Sequence, residues 1–183
     1  VGPSGLTASW TQGSPANPSY TLYEFQSALD AGFTTGLLSS FSTALSSSPA
    51  GLAPNVSYFM HVRAINLDGV PSDYSAPMTT ATLAQTPGSP AFGAVNVTSA
   101  AFTWSPGSNP ADTLYQAEIS SDNFYSLNFT SSTLASSATF FGLTPGSQYF
   151  CRVRALNRLG AVGDYTTSIS TSAGNLSDVS PPS

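Results

Sequence analysis

Few side chains in this sequence could take part in catalysis. Of its 183 residues, His61 is the one histidine and Cys151 the one cysteine, and neither belongs to a recognisable Ser–His–Asp or Cys–His grouping. Alternation along residues 58–64 and 149–155 places His61 on the outward side of a strand and Cys151 on the inward side of another. The sequence therefore predicts a solvated histidine, a small core cysteine and no enzymatic activity.

Metal and cofactor chemistry has no pattern in this sequence either. The nine acidic residues are scattered rather than held at the close spacing of a calcium loop. Zinc-ligand spacing and a phosphate-binding glycine loop are both missing. We therefore expect no metal and no cofactor.

Covalent modification is the chemistry that the sequence does offer. Four asparagines begin an Asn-x-Ser/Thr triplet, at Asn55, Asn96, Asn128 and Asn175. Asn55 and Asn128 are expected on exposed loops, so that covalent glycans are candidate partners. All four basic residues are arginine; without lysine, no Lys–Asn isopeptide bond can form, and any polymer of this chain alone must be noncovalent.

The low charge of the chain excludes two classes of partner. Only 7% of residues are charged, against about 25% in average soluble domains, and the net charge is −5. Phosphate neutralisation needs a basic patch, so a nucleic-acid partner is not expected. No apolar run is long enough to span a bilayer, and we expect no membrane insertion. Hydrophobic residues at 40% indicate a folded protein rather than a disordered one.

The elements that position these residues come from an internal repeat. Residues 51–66 return as residues 142–157, about ninety residues later, which is the size of a small β-sandwich. Both copies alternate apolar and polar residues as half-buried strands do. An earlier strand ends in tryptophan in each copy, Trp10 and Trp104, and no segment has helical periodicity.

These motifs together resemble the fibronectin type III domain. Each copy has the early tryptophan, then Leu-x-Pro-x-x-x-Tyr, then Val-x-Ala-x-Asn. The resemblance implies an all-β protein of two tandem sandwiches, each with strands A, B and E in one sheet and C, C′, F and G in the other. It also implies a tyrosine corner at Tyr58 and at Tyr149, whose hydroxyls bond to upstream backbone.

Aligning the copies indicates that the chain is out of phase with its domains. We assign residues 1–84 to the first domain, 85–173 to the second and 174–183 to an extended tail, with residues 85–90 as a short linker. Strand A of the second domain precedes Trp104, but only five residues precede the Leu6 strand in the first. The first domain is therefore predicted to lack most of strand A.

A missing strand A exposes a backbone edge that can template an added strand. We hypothesise that the tail of one subunit completes the first domain of the next, which makes a head-to-tail homopolymer because the contact does not close on itself. The candidate acceptor residues are Val1, Leu6 and Ala8. The candidate donor residues are Leu176, Val179, Pro181 and Pro182.

Three function classes stay open at this point. The first is a structural subunit of an extracellular or cell-surface filament. The second is a spacer or adhesion pair excised from a larger secreted enzyme or adhesin, whose ends continue into neighbouring repeats; the tail could also fold back within its own subunit. The third is a ligand-binding module that uses exposed loop aromatics such as Phe33, Phe124 or Tyr125.

Overall fold

The computed structural model describes residues 2–127 and 129–175, and its regular elements are all β-strands. The alternating sequence pattern accounts for this, since residues two apart share one face of a strand. The first unit comprises β1 (Ala8–Ser9), β2 (Leu22–Ala28), β3 (Leu38–Ser42), β4 (Ser46–Ser47), β5 (Ser57–Ile65) and β6 (Met78–Ala81). The second comprises β7 (Gly88–Val95), β8 (Ser99–Ser105), β9 (Leu114–Ser120), β10 (Phe129–Thr133), β11 (Ser137–Phe141), β12 (Gln148–Leu156) and β13 (Ile169–Ser172).

The second unit is a complete seven-stranded sandwich. One sheet has the order β11-β8-β7 and the other β10-β9-β12-β13, with every pair antiparallel. Inward residues of both sheets form one core around Phe102, Trp104 and Tyr115. Strands A, B and E thus oppose C, C′, F and G, as the resemblance implied.

Over its described residues, the first unit repeats this plan with one strand fewer. Its larger sheet has the order β3-β2-β5-β6, and its smaller one contains only β1 and β4. The core gathers Leu6, Phe25, Leu52, Tyr58 and Met60, with Trp10 half-buried beside them. Among the described residues of this unit, nothing pairs with β1 as β7 pairs with β8.

Both predicted tyrosine corners are confirmed. The Tyr58 hydroxyl accepts a hydrogen bond from the Ala53 backbone N–H at 2.9 Å, and the Tyr149 hydroxyl accepts one from Thr144 at the same distance. Each ring is buried while its hydroxyl pairs with a loop amide, which removes the cost of burying a polar group.

The predicted linker at residues 85–90 is wrong. The compact units divide between Leu83 and Ala84, and Ala84 already packs in the second core. The Gln85 backbone N–H then donates to the Asn109 side chain at 2.7 Å, and β7 begins at Gly88. Proline is tolerated here because β7 is an edge strand and Pro90 sits at a register irregularity.

Cys151 lies in the second core with no exposed surface, as predicted. Burial raises the pKa of its thiol to about 12, which leaves roughly a thousandfold less thiolate than an ordinary cysteine at neutral pH. We expect the native chain to be inert to a colorimetric thiol reagent, and the urea-unfolded chain to titrate one thiol. Reaction of the folded protein at the unfolded rate would contradict this placement.

Candidate assembly site

Matching backbone hydrogen bonds define which residues of the two units are equivalent. Trp10 N–H donates to Leu45 O as Trp104 N–H donates to Ser136 O. Leu83 N–H donates to Gly2 O as Gly174 N–H donates to Asn96 O. The turn before β1 therefore matches the turn between β7 and β8. At the other end, the residues just after β6 match those just after β13, so the equivalence spans the whole of the first unit from Gly2 to Leu83.

A groove lies in the first unit where β7 lies in the second. In the second unit, β7 pairs with β8 and also contacts β13. The equivalents of β8 and β13 are β1 and β6. Residues 7–11 and 78–80 line a groove of about 720 Å³ between these two strands, and Phe25 and Met60 lie at its floor.

The burial of β5 and β12 shows which residues are less covered in the first unit, where no described strand is equivalent to β7. Val153 and Ala155 of β12 are fully buried, whereas their equivalents Val62 and Ala64 of β5 are half-buried. The largest difference in exposure is on the neighbouring strand, which is β6 in the first unit and β13 in the second. Met78 of β6 is 69% exposed, while Ile169 of β13, opposite Cys151, packs against the second core. Within residues 2–83, the first sandwich is therefore open along one edge of its core.

The predicted acceptor residues are placed differently from one another. Ala8 lines the groove and pairs with Ser47 on its other side, so its outer edge is unpaired among the described residues. Leu6 is 4% exposed and belongs to the core rather than to the groove. Val1 lies outside the described residues, as do the donor residues Leu176, Val179, Pro181 and Pro182.

The sequence reasoning missed the groove-lining residues of the opposite sheet, chiefly Met60, Val62 and Met78. They come from strands far from β1 along the chain. One signal was present in the sequence: an apolar residue stands at position 78, as at the equivalent 169. Without the topology, nothing in that pattern indicated that position 78 is exposed.

The expectation that Asn55 is exposed is wrong. This residue is 1% exposed and has a φ of +52°, and its equivalent Gly146 has a φ of +73°. The turn requires the left-handed region at this position, which asparagine and glycine adopt most readily. The Asn55 N–H bonds to Leu83 O as Gly146 bonds to Gly174 O, which fixes the backbone of the turn. Because the residue is buried, its side chain is not presented to a glycosylating enzyme.

Two other asparagines of the Asn-x-Ser/Thr triplets are exposed to solvent. Asn96 is exposed in the turn after β7, where its amide donates to the Ser99 hydroxyl at 3.1 Å. Asn175 is exposed at the end of the described chain. Asn128 lies outside the described residues. Glycosylation at these three sites stays a prediction.

His61 is not the solvated strand residue that the sequence predicted. Its ring is stacked between Phe33 and Tyr74, with centroid distances of 3.5 and 3.7 Å. Nε2 lies 2.9 Å from the Gln26 side-chain oxygen. Burial between the rings lowers the histidine pKa, which the Glu24 charge partly opposes. Histidine here packs as a flat neutral ring on the outer face of the larger sheet.

The second unit has the same stack of side chains, with a cation in the place of the histidine ring. Arg152, the equivalent of His61, lies between Phe124 and Tyr165, with its guanidinium carbon 3.9 Å from each ring centroid. It also forms an ion pair with Glu118 at 2.8 Å. Phe33 and Phe124 are therefore engaged within the fold rather than open to a ligand, whereas Tyr125 is 97% exposed. Shared loop aromatics thus brace strand F in both units.

The part of the chain that the structure describes holds neither a metal-binding cluster nor a membrane-spanning helix. Within residues 2–127 and 129–175, no three histidine, cysteine or acidic side chains converge as a metal site would require. No helix in that part has the length and apolar character needed to cross a bilayer.

Comparison with known proteins agrees with this architecture. Residues 85–172 match the family model of the fibronectin type III domain. No curated protein sequence is significantly similar to the chain.

Two solved structures show how far the likeness extends. A two-domain fibronectin type III segment of chicken tenascin is similar over 95% of this chain and 94% of its own, with 15% identity and a TM-score of 0.60. The FN1–FN3 domains of chicken CNTN1 are similar over 93% of this chain and 62% of theirs, with 14% identity and a TM-score of 0.46. Fibronectin type III domains generally serve as structural or adhesion modules and are common in extracellular and surface proteins. The second domain therefore belongs to the fibronectin type III family, and the chain has the fold of a tandem pair of such domains, in which the second sandwich has all seven strands and the first has six among its described residues.

Proposed function

We propose that this chain is a structural subunit of an extracellular or surface filament, joined head to tail without covalent bonds. The observation that carries the proposal is the groove between β1 and β6. It is the site that β7 fills in the second unit, and in the first unit it stays open within the described residues. The donor that we propose is the C-terminal tail, residues 176–183 of a neighbouring subunit.

The chemistry of the groove suits a β-strand rather than a small polar ligand. Its floor is apolar, formed by Trp10, Phe25 and Met60, and one side offers the unpaired backbone edge of β1. An added strand would satisfy these backbone groups and cover Met78, whose burial contributes about 1.5–3 kcal/mol. A donor from another subunit makes a heterologous contact, which propagates instead of closing.

A docked tail would also limit glycosylation. Gly174 is the equivalent of Leu83, so Asn175 corresponds to Ala84, which is 3% exposed in the second core. A glycan on Asn175 therefore conflicts with docking from that residue onward, whereas one on Asn96, in an exposed turn, does not. Intact-mass measurement of native subunits, with peptide mapping, tests this exclusion.

The runner-up function is a spacer or adhesion pair within a longer secreted protein. The size and fold of tandem fibronectin type III domains favour it equally. In that case the groove is filled by residues of the same polypeptide that precede the first unit, and the tail passes into a following domain. The two functions differ in whether the chain of residues 1–183 polymerises by itself.

The test compares residues 1–183 with residues 1–175. The shorter chain keeps Gly174, which accepts a hydrogen bond from Gly146 at 3.2 Å and thus belongs to the second fold. We expect the full chain to form filaments visible by negative-stain microscopy as its concentration rises. The shortened chain should remain monomeric by analytical ultracentrifugation.

The controls make each outcome decisive. Circular dichroism must show that both chains are equally folded, and adding excess synthetic peptide of residues 174–183 should cap the filaments and shorten them. If the full chain stays monomeric at millimolar concentration, the filament function is wrong and the spacer function takes its place. If both chains polymerise, the tail is not the donor.

A further inference from the structure

The second unit shows how a strand is held in this groove. β7 runs antiparallel to β8 with Gly88 opposite Ser105 and Ala91 opposite Thr103. The register shifts by one irregularity between these pairs, at Ser89 and Pro90, where Ser89 has a φ of +47°. Gly88 and Pro90 are half-buried, and Ser89 between them is exposed.

The β8 residues of this pairing have equivalents in the first unit that line the groove. Because Trp10 matches Trp104, Thr11 corresponds to Ser105 and Ser9 to Thr103. Thr11 and Ser9 line the groove and are exposed.

The sequence of the tail can be matched to that of β7 by extending the same equivalence. Counting on from Gly174, the match of Leu83, Val179 falls at Gly88, Ser180 at Ser89 and Pro181 at Pro90. The Ser-Pro dipeptide that sits at the irregularity of β7 thus recurs in the tail at the same distance from the last strand. Val179 stands at the position of Gly88, where an added Cβ would lie 3.9 Å from the Cβ of exposed Ser105.

We infer that the groove accepts residues 176–183 of a second copy in one register, antiparallel to β1 with Val179 opposite Thr11 and on the same outer face, and with Pro181 facing the core. This inference rests on the proposed head-to-tail assembly and specifies its contact. Ser180 then faces solvent and occupies the irregularity with Pro181.

Disulfide trapping between two different chains tests the register. Residues directly opposite in antiparallel strands have Cα atoms about 4.5–5.5 Å apart, within disulfide reach, whereas diagonal neighbours two residues away are about 7–8 Å apart. A Thr11→Cys chain, labelled with ¹⁵N, is mixed with an unlabelled Val179→Cys chain under mild oxidation. The matched control replaces Thr11→Cys by Ser9→Cys, which is equally exposed. Cys151 is buried and does not compete.

We expect the Thr11–Val179 cross-link, identified by peptide mass spectrometry, to form at least tenfold more than the Ser9–Val179 cross-link. If filaments form and the Ser9 pair cross-links equally or better, the register is wrong and the assembly stands. If filaments form and neither pair cross-links, the tail does not occupy the groove in this way. If all chains remain monomeric and uncross-linked, the proposed function itself fails, and the inference with it.

A second measurement tests which side chains face the groove and does not depend on cysteines. Pro181→Asp is expected to prevent filament formation, because it buries a carboxylate against an apolar floor. Ser180→Asp changes the neighbouring residue by the same charge and should leave assembly within about twofold of the unmodified chain. The reverse order of effects would overturn the inferred facing.

Discussion

Met78→Asp is expected to abolish filament assembly while leaving the first domain folded. Met78 is 69% exposed and lines the groove, so a carboxylate there stays hydrated in the free subunit. Docking a strand over it would strip that hydration, at a cost of several kcal/mol. Each 1.4 kcal/mol weakens binding tenfold, so we expect at least a hundredfold rise in the concentration needed for assembly. Light scattering and negative-stain microscopy measure it.

The second domain supplies the matched control. Ile169→Asp makes the same change at the equivalent position, but this residue packs against the second core, on a strand that β7 contacts. We expect this variant to lower the free energy of unfolding of the second domain by about 2–4 kcal/mol. Urea unfolding with hydrogen exchange resolved by domain separates the two results. Equal destabilisation by both substitutions would mean that the Met78 site is already covered, which would contradict an open groove.

The second large effect is expected where Arg152 is stacked between Phe124 and Tyr165 in the second domain. Glu118 is 5% exposed and accepts hydrogen bonds from Arg152 and from the Tyr165 hydroxyl. Glu118→Gln removes the negative charge and leaves the guanidinium between two rings without its anion. Hydrogen bonds to charged groups contribute about 1.5–3 kcal/mol, and we expect a loss in this range. Because the Arg152 side chain is 30% exposed, water compensates part of the Coulomb energy.

The first domain shows how that loss can be reversed. At the equivalent row it carries Gln26 paired with His61, where the second carries Glu118 paired with Arg152. The double variant Glu118→Gln with Arg152→His copies this neutral pair, and we expect it to be more stable than the sum of the single changes predicts. A double-mutant cycle from urea unfolding measures the coupling. Additive losses would show that the two side chains stabilise the sheet independently.

The sequence predicted the β-class and the two repeats because these depend on local periodicity, whereas the tyrosine corners were implied by the resemblance to the fibronectin type III domain. Alternation of Tyr58, Met60, Val62 and Ala64 along β5 shows its inward face without knowledge of partner strands. The prediction for His61 failed for the opposite reason. Its stacking partners, Phe33 and Tyr74, come from loops on either side of the strand, and outward orientation alone does not reveal a covering loop. Asn55 failed similarly, since a turn residue with positive φ can point inward.

For the candidate site, the sequence by itself determined that residues 1–84 contain no counterpart of residues 88–94 and that the tail repeats a Ser-Pro dipeptide, because both follow from aligning two copies of one pattern. Only the tertiary structure decided where that difference falls. It placed β1 beside β6, left Met78 exposed where Ile169 is covered, and made Leu6 a core residue rather than an edge. Strand pairing between distant segments creates the groove, and such pairing is a property of the folded sheet order that no local pattern encodes.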